Sequence, residues 1–232
     1  MIRAAFALAM LLASAAAAAP STFVGSASCS GCHAEATAAW RGSHHDRAMQ
    51  VADDATVLGR FDGATLTTFG VTTTFTKKDG KRWIRTAGPD GKLADYEVLY
   101  TFGVAPLQQY LVAFPNGLYQ APPVAWDTRP KAEGGQRWFS LQPDEKIPPG
   151  DLLHWTGVAS NWNQMCAACH STNLRKNNDV AQDRYDTKWS ELNVGCEACH
   201  GPGSNHVAWA KAGASRGPDS RSILAAAIRR AG

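Results

Sequence analysis

Two kinds of patterning divide the chain. Between Phe61 and Leu141, short runs rich in Thr, β-branched and aromatic residues (Thr65 to Thr76, Arg82 to Thr86, Tyr96 to Phe102, Gln109 to Phe114, Leu118 to Gln120) alternate with turn signals at Asp79-Gly80, Asp90-Gly91 and Asn116-Gly117. Runs of this length and composition, broken by Gly-containing dipeptides, predict strands joined by tight turns, a β-meander. Elsewhere the pattern is helical: Glu35 to Met49, a shorter stretch from Asp186 to Asn193, and an Ala- and Arg-rich tail from Asn205 to Arg230. Pro122-Pro123 and Pro148-Pro149 interrupt both patterns, and the second pair marks the passage to a new segment from Gly150 onward.

The first residues follow a third pattern. A basic start at Met1 to Arg3, an apolar run from Ala4 to Leu12 and small residues from Ser14 to Ala19 read as a secretion signal cleaved near Ala18 or Ala19. The apolar run is too short for a membrane span, and no later stretch approaches spanning length. The mature chain is therefore expected to be soluble and periplasmic. The expected divisions are 1–19 as signal peptide, 20–60, a β-rich insertion over 61–147, and 148–232, the last forming one unit with 20–60.

Composition changes this picture little. At 232 residues the chain can form one or two domains with a real core. A formal charge of +3, with its Lys and Arg scattered, lacks the footprint of a nucleic-acid binder.

The cysteines change it most. All six fall into three copies of one pattern, Cys29-Ser-Gly-Cys32-His33, Cys166-Ala-Ala-Cys169-His170 and Cys196-Glu-Ala-Cys199-His200. A disulfide framework is the ordinary reading of an even cysteine count in an exported protein, but a disulfide needs no following histidine. Zinc could use the same sulfur and nitrogen ligands, yet three such motifs behind an export signal favour covalent haem c, one per motif. On one helical turn both thiols lie on the same side, where they can form thioethers with the two haem vinyl groups. The next residue, His33, His170 or His200, supplies the proximal ligand, its other ring nitrogen donating to a carbonyl. The second and third motifs begin 30 residues apart, so their haems are expected to be close.

Four further histidines, His44, His45, His154 and His206, are candidates for the opposite faces of three irons. Of the adjacent pair His44 and His45, one is expected to ligate. His206 follows His200 by six residues through Gly201-Pro-Gly-Ser-Asn, a turn that wastes the reach needed to round its own porphyrin. It is expected to serve a different haem and so to join the N- and C-terminal segments. His154 is either a ligand or a buried hydrogen-bonding residue. Met49 is a minor alternative ligand, and Met165 is expected to pack. Trp40, Trp155, Trp162, Trp189 and Trp209 are read as core or haem-edge packing.

Several stretches carry a family resemblance: Val24-Gly-Ser-Ala-Ser-Cys29, Trp40-Arg-Gly-Ser-His-His45, Tyr100-Thr-Phe-Gly-Val104 with Gln108-Gln-Tyr110, Ala125-Trp-Asp-Thr-Arg-Pro130, Met165 to Leu174 and Gly195 to Gly203. On these the chain resembles the multihaem cytochromes related to the tetrahaem cytochromes of nitrification, and their relatives that carry tetratricopeptide repeats. The resemblance implies an α+β multihaem cytochrome c fold, with haem-packed helices and loops and a β-rich insertion between the first motif and the other two. It also implies His45 rather than His44 as a distal ligand, and a histidine after Cys-His-Gly-Pro-Gly-Ser, here His206, that serves another haem. Unlike those relatives, this sequence has three haem motifs and stops where they typically continue.

The expected function is electron transfer among closely spaced haems, without a catalytic residue. Donor and acceptor would be redox proteins, a membrane-associated quinol-oxidising protein among the candidates. An alternative is a reductase of a small nitrogen or sulfur oxyanion, with one iron left open. The motif from Cys166 to His170 is then the candidate open site, since its distal partner is the least evident. A third reading is a redox-linked binding module that presents the β-rich segment to a partner.

Overall fold

The computed structural model describes residues 20–213. The expected signal sequence, and the part of the predicted Asn205 to Arg230 helix beyond residue 213, lie outside the described residues. In chain order the elements are α1 (Ala34–Trp40), β1 (Met49–Val51), β2 (Asp62–Thr68), β3 (Val71–Lys78), β4 (Lys81–Ala87), β5 (Leu93–Phe102), β6 (Leu107–Ala113), β7 (Tyr119–Gln120), β8 (Val124–Asp127), β9 (Arg137–Ser140), α2 (Trp162–Met165), α3 (Ala167–His170), β10 (Asn178–Asp179), β11 (Arg184–Tyr185), α4 (Cys196–His200) and α5 (Ser204–Lys211).

The meander is present and larger than its sequence signals suggest. Its strands run in the order β2-β3-β4-β5-β6-β8-β9, all antiparallel, with β1 added to the end of β5 and β7 to the end of β6. Side chains alternate as a one-sided sheet requires: Thr73 and Phe75 on β3, and Arg82, Ile84 and Thr86 on β4, point inward. Register shifts at Asp62/Ala64 and Val98/Tyr100 add curvature. The sheet curls until its first and last strands approach, and the Trp138 indole N–H donates to the Arg60 carbonyl at 3.0 Å. The enclosed core is aromatic. Phe75 and Trp138 stack at 3.5 Å, and Phe61 meets Phe75, Tyr110 and Trp138 edge-on.

One predicted strand is two. The Thr65 to Thr76 run breaks at Phe69-Gly70, where both residues have positive φ (50° and 80°) and make a two-residue hairpin turn.

The predicted helices are corrected more heavily. The stretch from Glu35 to Met49 is helical only to Trp40. Gly42, at φ 74°, turns the chain, the Asp46 carboxylate accepts its N–H at 2.7 Å, and Met49 pairs with Phe102 on β5. Asp186 to Asn193 is not a helix. Its backbone hydrogen bonds run across to 172–175, with Lys188 bridged to Arg175 and Glu191 to Thr172. Among the described residues the motif region therefore holds helices of at most 8 residues joined by loops, not the haem-packed helices expected.

A second apolar cluster joins the two regions. The outer side chains of β5 and β6, Phe102 and Leu111, pack with Met49, Trp162 and Ala167, while Tyr100, Cys166, Trp189 and Leu192 lie around them. The outside of the barrel is thus the wall on which the second Cys motif rests.

Candidate haem-binding site

Each motif is built as one helical turn, as its spacing requires. In the first, the amides of Cys32 and His33 both bond back to the Cys29 carbonyl (3.2 and 2.9 Å). The second is α3 with Cys166 as its N-cap, directly after α2, where the Asn161 side chain caps the Gln164 amide at 3.1 Å. The third is α4 itself, which stops at Gly201, φ 75°. None of the six cysteines is joined to another in a disulfide. In every motif the first is half-buried and the second exposed, so the three turns present their chemistry in the same way.

Two carboxylates, one buried (Glu197) and one half-buried (Glu191), bring the first and third motifs together. Glu197, inside the third motif, accepts from the amides of Val24 (3.0 Å), Gly25 (2.7 Å) and Gly203 (2.7 Å) while only 3% exposed. Glu191 accepts from the Ser26 amide at 3.0 Å and from its hydroxyl at 2.9 Å, and the Ser26 hydroxyl in turn receives the Cys196 amide at 2.9 Å. Gly195 is glycine because the Glu191 carboxylate and the Ser26 hydroxyl fill the space a Cβ would take. The result is that Cys29 and Cys196 become neighbours. Burial first, and then the neighbouring Cys196, push the Cys29 thiol up to about 11.

The second motif is joined through residues 43–48. His170 Nδ1 lies 2.9 Å from the Ala48 carbonyl, the partner expected for a proximal imidazole, and this leaves Nε2 for a metal. Its ring also meets Phe102 edge-on. A few residues earlier, the His45 carbonyl accepts the Val194 amide, Asn193 donates to Asp46, and the Trp40 indole donates to the Val194 carbonyl. His45 therefore sits beside the entrance to the third motif. Both His44 and His45 are exposed.

His206, on α5, lies against His33 of the first motif, with ring centroids 6.0 Å apart. Two imidazoles sharing one metal at about 2 Å each, with each ring centre about 1 Å behind its nitrogen, have centroids about 6 Å apart. The donor set and this separation fit a haem carried by Cys29 and Cys32, with His33 and His206 on its two faces. Three pairs of cysteines, each followed by a histidine, fit one covalent haem per motif.

The remaining candidates lie elsewhere. His154 is 7% exposed, and its Nδ1 is 2.8 Å from the Thr156 hydroxyl. It lines a cavity of the barrel that contains no Cys-motif residue, and burial lowers its pKa against a smaller opposing effect of Asp151. Met49 is buried in the cluster behind the second motif, and Met165 is 62% exposed. Of the tryptophans, Trp155 belongs to the barrel core, Trp162 and Trp189 to the second cluster, and Trp209 packs beside His206. Glu191, Glu197 and Ser26 were not singled out from the sequence. The one available signal was an ionisable residue between two cysteines of a motif.

A family model described as cytochrome c554 and c-prime matches residues 28–62 and 136–201. The two matched segments contain all three Cys motifs and flank most of the strands. Among solved structures, the crystal structure of the outer cell wall cytochrome OcwA is similar, with 20% identity and a TM-score of 0.49 over 82% of this chain and 34% of that one. The chain thus spans about a third of that protein's length. No curated protein matches. The family match covers less than half of the chain, and the segments it covers are those that carry the three Cys-x-x-Cys-His motifs.

Proposed function

We propose that this chain is a periplasmic, three-haem member of the cytochromes related to the tetrahaem nitrification type, and that it relays electrons between redox proteins. Bound haem supplies one-electron uptake and release at iron. The protein's own part is positional. Ala48 orients His170, His206 stands opposite His33, and the carboxylates of Glu191 and Glu197 hold the first and third motifs against each other. The observation that carries the reading is the convergence of all three Cys-x-x-C-His turns on the single frame formed by residues 24–48 and 193–203. Donor and acceptor are proposed as redox proteins, with a membrane-associated quinol oxidiser as one candidate donor.

Intact mass of the purified protein tests the premise and should exceed the polypeptide by three haems; a smaller number sinks it. Substitution of His206 by Ala should turn one low-spin ferric haem high-spin, and an unchanged spectrum would show that His206 is no ligand. His45→Ala tests the second distal assignment in the same way.

One observation favours a second reading, reduction of a small nitrogen or sulfur oxyanion. His206 is taken by His33 and His154 by the barrel cavity, whereas His170 faces Phe102 and Ala48. On this reading His45 would serve the third motif, and the iron of the second would be the open one. Carbon monoxide binding after reduction supports that reading; wholly low-spin haems that bind none support the pure carrier.

A further inference from the structure

Away from the Cys motifs, one end of the barrel encloses a cavity of about 260 Å³. Its walls are the inward side chains of β3 and β4, the start of β8, and the segment that leads from β9 toward the second motif. Apolar surface comes from Val71, Val124 and Trp155. Trp155 lines the cavity with its indole N–H given to the Ala87 carbonyl at 2.8 Å. Three buried polar side chains stand among these groups: Thr73 and Thr86, whose hydroxyls lie 2.9 Å apart, and His154. The Thr pair satisfies one hydrogen bond of each hydroxyl or less, and each hydroxyl can make more. Thr156 occupies Nδ1 of His154, which leaves Nε2 as the ring atom able to serve the cavity. Charges occur only at exposed lining positions, where Glu145 and Lys146 offset each other.

An apolar space with a few convergent, uncharged polar groups, in the mouth of a barrel, is the usual form of a small-molecule site. We propose that this cavity binds a small, uncharged, planar aromatic molecule bearing a carbonyl or amide, its ring against Trp155 and Val124 and its polar end on His154 and the Thr73–Thr86 pair. A carboxylate in the same place would have to shed its water with no cation inside to replace it, so the site discriminates against anions. The proposal does not depend on the electron-transfer reading, because none of the lining residues belongs to a Cys motif.

The test uses the haem-loaded protein and calorimetric titration with 2-naphthamide, with 2-naphthoate and naphthalene as the charged and apolar controls. Saturable one-to-one binding of the amide is expected, with the carboxylate and naphthalene each weaker by about tenfold or more. Thr73→Val, which keeps the side-chain shape, should weaken the amide about threefold to tenfold, with the haem absorption bands unmoved in both proteins. His154→Gln provides a second variant. Absence of saturable binding, equal binding of naphthalene, or full affinity in both variants would overturn the proposal.

Discussion

The barrel and the motif region lie side by side and are held in shape by different means. In the barrel, strands exchange hydrogen bonds with immediate neighbours in sequence, and a closed aromatic core of Phe61, Phe75, Tyr110, Trp126 and Trp138 fills the interior. In the motif region regular structure is a matter of single turns. There the chain is fixed by side chains that reach across it, with carboxylates at 191 and 197 holding amides at 24, 25 and 26. The first region is complete as a polypeptide. The second is a frame of short turns held together mainly by these long-range bonds. The difference teaches where stability should depend on haem and where it should not.

The largest effect should come from taking the haems away. With all six cysteines changed to Ser, hydrogen exchange should show protection lost at Val24, Gly25 and Val194 and kept at Tyr110 and Ile84. Equal loss in both regions would break the comparison. Within the barrel, Phe75→Ala removes a fully buried ring stacked on Trp138 and should cost about 4 kcal/mol in denaturant unfolding. The haem spectra of the folded variant should stay unchanged. In the frame, Glu197→Ala leaves three amides without their acceptor and should cost about 3 kcal/mol, with exchange quickened at Val24 and Gly203 but not in the strands.

The smallest effect is a pH dependence. The Arg129 guanidinium holds the Asp127 carboxyl at about 2, against an ordinary 3.8. Because the folded-state value is depressed, the stabilisation is fully present above about pH 4 and is lost as pH falls toward 2. The destabilisation caused by Asp127→Asn should therefore be measurable at pH 7 and vanish near pH 2. A constant difference across that window would show that the ion pair is not its source.

The same division governs what could be read from the sequence. The motifs were legible because haem attachment imposes a fixed local spacing, and most strands were legible because period-two patterning and Gly turns are local signals. The break at Phe69-Gly70 was not, since an aromatic residue at positive φ is absent from the usual turn vocabulary. Asp186 to Asn193 looked helical in isolation, but its backbone is claimed by residues 172–175, a choice no local pattern records. Reach and the glycine-rich turn pointed His206 to a haem other than its neighbour's, and the structure sets it against His33. The roles of Glu191, Glu197 and Ser26 stayed hidden because each joins partners more than 160 residues apart.

That separation bears on how the molecule is made. The segment at Val24 to Ser26 is synthesised early, while the carboxylates that hold it follow 165 to 173 positions later. Contacts of such long sequence range form slowly, after the short-range pairings of a meander. As the chain folds, the barrel can therefore close before the first motif is fastened to α4. The Glu197 latch is then a late contact, made only once both ends of the frame are in place.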